Sequence, residues 1–148
     1  MKNLTWEEYF IEVAKLIAKK SSCAKRQIGA VIVKDGMIVS TGYNGTPRGV
    51  KNCNQGGCER CSSDVQSGQN LHECLCVHAE ENAIVQAAYQ GISTKGSTLY
   101  TSLCPCLYCA KTIVNAGIRK VFYNQGYAMD TQTIRLLTEA KVDIEKYS

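Results

Sequence analysis

The segment Gln27–Gly45, QIGAVIVKDGMIVSTGYNG, decides the fold. Ile28–Val33 and Met37–Thr41 are apolar, β-branched runs, and the Asp35-Gly36 pair between them is a hairpin turn signal. Past this hairpin the chain alternates. VHAEENAIVQAAYQG predicts a helix ending near Gly91, STLYTS a third strand, and PCLYCAKTIVNAG a helix with Pro105 at its start and Gly117 past its end. RKVFYN then reads as a fourth strand, DTQTIRLLTEA as a helix and KVDIEKY as a last strand. Before the hairpin, Thr5 and Glu8 stand in capping-box spacing. Trp6, Tyr9, Phe10, Val13, Leu16 and Ile17 follow at helical intervals, so residues 5–20 should form an amphipathic helix. Helices alternating with strands imply an α/β fold with a sheet covered on both faces.

At 148 residues the chain suits one domain, residues 1–148, around one core. Its 45% apolar and 20% charged content is that of an ordinary globular protein, and no apolar run is long enough to span a bilayer. The N-terminal stretch MKNLTWEEYF carries acidic residues where a signal peptide would be apolar, so a cytoplasmic location with reduced thiols is expected. A net charge of +4 without any block of like charge favours small anionic ligands over nucleic acid. Nine cysteines without an export signal point to metal binding rather than to disulfides. Residues 46–75 show little periodicity and are rich in Gly, Asn, Ser and Cys. A surface excursion of this length needs a tether, and a metal is the expected one.

His78 and Glu80 stand two apart, a spacing that points side chains to nearly opposite sides of a regular helix. They converge only if His78 sits at the helix entry. By itself such a histidine is a cap or a core residue. Cys106 and Cys109 are three apart in the first turn of another predicted helix, so their sulfurs share a face. A lone C-x-x-C is a redox pair or half of a structural zinc site. Together, H-A-E followed by P-C-x-x-C is similar to the signature of zinc-dependent base deaminases. In that pattern His78, Cys106 and Cys109 bind a catalytic Zn²⁺ and leave a position open, while Glu80 shuttles protons as general acid and base.

The chain further resembles the deoxycytidylate (dCMP) deaminase family of the cytidine deaminase superfamily. The resemblance runs through QIGAVIV, TGYNGTPRG, CVHAEENAI, TSLCPCLYCAKTIVNAGI and KVFY. It implies a three-layer α/β/α sandwich with a five-stranded mixed sheet. It implies hydrolysis of dCMP to dUMP and ammonia, supplying dUMP for thymidylate synthesis. It also implies a homohexamer activated by dCTP and inhibited by dTTP, with Mg²⁺ accompanying the effector. By similarity, Asn44 would hold the sugar hydroxyl, Ala79 would contact substrate and Tyr127 would pack on the base. Gly42, Tyr43, Gly45 and Arg48 would border the effector site. The basic residues Lys25, Arg26, Arg48 and Lys51 flank the Gly-rich loop and are candidates for phosphate, Lys25 and Arg48 first. Each alone reads first as a solvated surface charge.

Some phage members carry a second, structural zinc. Matched by position, Cys23, Cys53 and Cys76 fall on its ligands, and His72 would complete the set. Cys58 and Cys61 of the CERC pair, with Cys74, are alternative ligands, and Cys104 reads as structural. The competing functions are a deaminase of dCTP or of free cytidine, a deaminase of a nucleic-acid base, and a non-catalytic zinc-binding module. The modest charge argues against the nucleic-acid enzyme, and the unligated Glu80 argues against the module.

Overall fold

The computed structural model describes residues 2–66, 69–126 and 131–148. Helix α1, Trp6–Ala18, opens on the expected capping box: Glu8 N–H donates to Thr5 Oγ1 at 3.1 Å, and Thr5 N–H donates to Glu8 Oε2 at 2.7 Å. Both donors would otherwise be orphaned at the helix end. Thr5→Ala is therefore expected to lower stability by about 1 kcal/mol, read as a shift of the urea midpoint with no change in slope.

Strands β1, Gly29–Lys34, and β2, Met37–Tyr43, pair antiparallel around Asp35 and Gly36. The turn residues have φ of 53° and 75°, the left-handed values that a two-residue hairpin demands and that Gly supplies without cost. Strands β3 (Thr98–Leu103), β4 (Lys120–Gln125) and β5 (Asp143–Lys146) complete a five-stranded sheet in the order β2-β1-β3-β4-β5. Strand β1 is antiparallel to both neighbours, whereas β3, β4 and β5 run parallel, so the sheet is mixed as expected.

The chain leaves β2 through the excursion, which contains a short helix α2, Glu59–Ser62, between 3₁₀ turns at Cys53–Gln55 and Leu71–Glu73. Its base is pinned by a bridge in which Gly45 and Val77 exchange backbone hydrogen bonds at 2.7 and 3.2 Å. Helices α3 (Ala79–Tyr89), α4 (Leu107–Asn115) and α5 (Thr131–Glu139) follow.

Side chains alternate across the sheet as the period of a strand requires. Val31, Val33, Tyr100 and Phe122 face α1 and pack on Phe10, Ile11 and Ala14. Ala30, Ile32, Leu99 and Val121 face the other way, onto α3, α4 and α5. This is the three-layer α/β/α sandwich. Helix α3 lies so close to β2 that a Cβ on Gly42 would fall on the Ala79 carbonyl oxygen and the Ala83 nitrogen. Among the described residues no helix is long and apolar enough to cross a membrane.

Candidate active site

Helices α3 and α4 start side by side beyond the carboxyl end of β3. His78 is the residue before α3, with extended backbone (φ −68°, ψ 153°), so its ring is free to turn toward the face that carries Glu80. This is the condition under which H-x-E converges. On α4 the start differs slightly from expectation. Pro105 precedes the cap and Cys106 is the cap, its sulfur accepting the Cys109 N–H at 3.5 Å. A sulfur at this position satisfies an orphaned donor and sits in the positive end of the helix dipole.

His78 Nδ1 lies 3.2 Å from Cys109 Sγ and 3.5 Å from Cys106 Sγ. Tetrahedral zinc, with Zn–S near 2.3 Å and Zn–N near 2.0 Å, spaces nitrogen and sulfur donors by about 3.6 Å. The observed donor set and spacing therefore fit zinc, and this group offers three ligands rather than four. The Cys106 thiol is held down at about 4, first by its hydrogen bond with the Cys109 thiol and then by the His78 ring and the Cys109 N–H. Cys109 is pushed up, by the Cys106 sulfur and by burial. A thiolate is thus favoured at Cys106 before any cation arrives.

Glu80 is 4% exposed, with Oε2 3.6 Å from Cys109 Sγ. Burial pushes its carboxyl above the usual carboxylate range. Thr101, within β3, has its hydroxyl 3.2 Å from Glu80 Oε1 and 3.1 Å from the Leu103 carbonyl, and its one proton serves either acceptor. Nothing in the sequence marked Thr101, whose side chain owes its place to strand register.

A cavity of about 180 Å³ opens onto this group. Lys25, Arg26, Asn44, His78, Glu80 and Cys106 line it. The Asn44 amide is also structural: Oδ1 accepts from Ile28 N–H at 2.8 Å and Nδ2 donates to the Arg26 carbonyl at 2.7 Å. One Nδ2 hydrogen and one Oδ1 lone pair are left for a ligand. Lys25 Nζ reaches back to the Ser63 carbonyl at 2.9 Å and so ties the excursion to the cavity mouth. Cys104, half-buried, also lines the cavity, its thiol pushed up to about 11 by burial. Ala79 does not line it. Its side chain is fully buried in the core under β2. Tyr127 lies outside the described residues.

A larger cavity of about 570 Å³ lies against α3, and Gly42, Tyr43, Gly45 and Arg48 line it together. The Arg48 guanidinium lies 4.6 Å from the centre of the Tyr89 ring and donates to Gln86 Oε1 at 3.4 Å. Lys51 does not line this cavity.

The cysteines of the excursion gather, with one correction. Cys23, Cys53, Cys61 and Cys76 place four sulfurs within 4.8 Å of one another, and so do Cys58, Cys61, Cys74 and Cys76. His72 belongs to neither group. Its side chain is 77% exposed and lies 3.6 Å from the Glu73 carboxylate. Cys61 stands beside Cys23, Cys53 and Cys76 instead, because Cys58 and Cys61 at α2 are buried while His72 is exposed. None of the nine cysteines is in a disulfide.

The profile of the cytidine and deoxycytidylate deaminase zinc-binding region matches residues 4–125. The chain is 46% identical over 143 residues to the deoxycytidylate deaminase of Schizosaccharomyces pombe, covering 97% of this chain and 44% of that one. It is 44% identical over 144 residues to the enzyme of the same name from Saccharomyces cerevisiae, covering 97% and 45%. The chain therefore spans less than half the length of these curated relatives. Among solved structures, the dCMP deaminase of cyanophage S-TIM5, crystallised with dCMP and dUMP, superposes with a TM-score of 0.81. It has 34% identity and covers 99% of this chain and 100% of that one.

Proposed function

The chain belongs to the cytidine and deoxycytidylate deaminase family, and from that premise we propose that it hydrolyses dCMP to dUMP and ammonia. The observation that carries this reading is Glu80: a buried carboxylate 3.6 Å from a candidate metal ligand, lining a small cavity together with Lys25 and Arg26. A structural site has no use for such a group. His78, Cys106 and Cys109 would hold the zinc, which when bound supplies a Lewis acid that brings water ionisation toward neutral pH.

The chain's own residues do the rest. Glu80 accepts a proton from the attacking water and delivers it to the pyrimidine ring nitrogen next to the amino-bearing carbon. The water oxygen bonds to that carbon. Glu80 then passes the second water proton to the amino group, the carbon–nitrogen bond breaks, and ammonia leaves as the carbonyl forms. A carboxyl poised above its ordinary range suits this double duty, since it must be a base and then an acid at one pH. The Thr101 hydroxyl lies within hydrogen-bond distance of the carboxyl and helps to orient it. Lys25 and Arg26, which line the cavity, are the proposed contacts to a 5′-phosphate, and Asn44 and Tyr127 those to sugar and base.

For regulation, the larger cavity with Gly42, Tyr43, Gly45 and Arg48 is the proposed effector site for dCTP and dTTP, with Mg²⁺ on their phosphates, in a homohexamer. At least one further, structural zinc is proposed in the cysteine cluster. Ammonia release should be measured with dCMP, dCTP, cytidine and a transfer-RNA loop, with and without dCTP and dTTP as effectors. Turnover of dCMP well above the others is the expected result. Preference for dCTP, cytidine or the RNA would replace the reading by the corresponding deaminase, and no turnover of any would leave the non-catalytic module.

A further inference from the structure

We propose that Cys23, Cys53, Cys58, Cys61, Cys74 and Cys76 hold two zinc ions rather than one, with Cys61 and Cys76 bridging both. This builds on the reading that the cysteine cluster binds structural zinc, and it fixes the number of ions and the ligand of each.

The argument starts from the overlap. The two sets of four sulfurs share Cys61 and Cys76. A single ion on the first set would strand Cys58 and Cys74, and a single ion on the second would strand Cys23 and Cys53. Neither set is the better equipped. Cys53 Sγ accepts the Ala24 N–H at 3.3 Å, and Cys58 Sγ accepts the Leu75 N–H at 3.3 Å. Each set thus has one fully buried cysteine that is not shared and whose sulfur takes a backbone donor, as metal-bound thiolates commonly do. The spacing agrees. Zinc with four sulfurs at 2.3 Å separates them by about 3.8 Å. Cys23–Cys61, Cys58–Cys74 and Cys61–Cys74 lie at 3.9, 3.9 and 3.7 Å. A disulfide would need about 2.05 Å.

Charge supplies an independent line. Arg60 is 6% exposed, and among the described residues no carboxylate pairs with it. Its guanidinium donates to the Gln66 and Gln69 carbonyls at 3.1 and 2.6 Å and to Cys61 Sγ at 3.8 Å. A buried cation needs an anion. Neutral thiols provide none, whereas six thiolates on two Zn²⁺ carry a formal charge of about −2. The guanidinium rests on one of the two sulfurs assigned as bridges. Cys23, Arg60, Cys74 and Cys76 also line the smaller cavity, so the cluster and Glu80 border the same space.

Zinc should be counted on the purified, zinc-loaded protein, alongside the Cys106→Ser/Cys109→Ser double variant. About three ions per chain, falling to about two in the variant, is the expected result. Two in the native protein and one in the variant would overturn the shared-thiolate cluster while leaving a structural zinc in place. One in the native protein would remove the structural zinc altogether. Cadmium-113 exchanged into the native protein gives a readout that needs no variant. Two all-sulfur resonances that split each other through the bridging sulfurs are expected, and unsplit or single resonances overturn the proposal. Cys61→Ser should lose both cluster ions and Cys58→Ser about one. Equal losses would contradict the assignment of the bridge.

Discussion

Glu80→Gln will keep its metal and lose its turnover. The amide has nearly the same shape, so it still fills the buried space behind His78 and still meets the Thr101 hydroxyl. It cannot accept the proton of the attacking water or hand protons to the ring nitrogen and the departing amine. General acid–base groups contribute about 10²–10⁴-fold, and a single carboxyl serving several transfers belongs at the upper end, near 10⁴ or about 5 kcal/mol of barrier. Because the wild-type carboxyl is held in an environment that opposes its charge, the neutral replacement should not lower the melting temperature. Steady-state kinetics on dCMP, zinc analysis and a thermal scan on the same preparation check the three parts. Turnover within tenfold of wild type removes Glu80 from the mechanism.

Gly42→Ala is expected to lower both stability and activity. There is no room for a methyl group between β2 and the first turns of α3, where the Ala79 carbonyl and the Ala83 amide close on the glycine. The strand or the helix must move, and overpacking against rigid backbone costs about 3 kcal/mol. At this chain length that is about 6–12 °C in melting temperature. The displaced turn carries Glu80 and follows His78, so activity should fall further than the unfolded fraction explains. Gly45→Ala is the control. Its added carbon would meet only Ser22 Oγ at 3.6 Å, an ordinary contact, and the melting temperature should stay within about 2 °C of wild type. If the two variants melt alike, the close approach of α3 is not what Gly42 provides.

Much of this was legible in the residues because the determinants are local. The hairpin follows from Asp35-Gly36, and the start of α1 from Thr5 and Glu8. The meeting of His78 with Cys106 and Cys109 is not local, and it was legible only through the likeness of H-A-E and P-C-x-x-C to the zinc-deaminase signature. Readings that depended on a path through space fared differently. Pro105 suggested where α4 begins, but the Cys106 sulfur competes for the Cys109 amide and takes the cap. His72 is the histidine expected to complete the structural site, yet the sequence does not say which side of the excursion turns inward, and Cys61 does. Thr101 and Arg60 carried no signal, since one gains its partner by strand register and the other by burial beside sulfur.

The Gly45–Val77 bridge brings the two ends of the excursion to neighbouring points on the sheet's rim. The scaffold is therefore complete without the intervening residues, and that stretch behaves as a cassette. Its length can be changed by an engineer without rethreading a single strand.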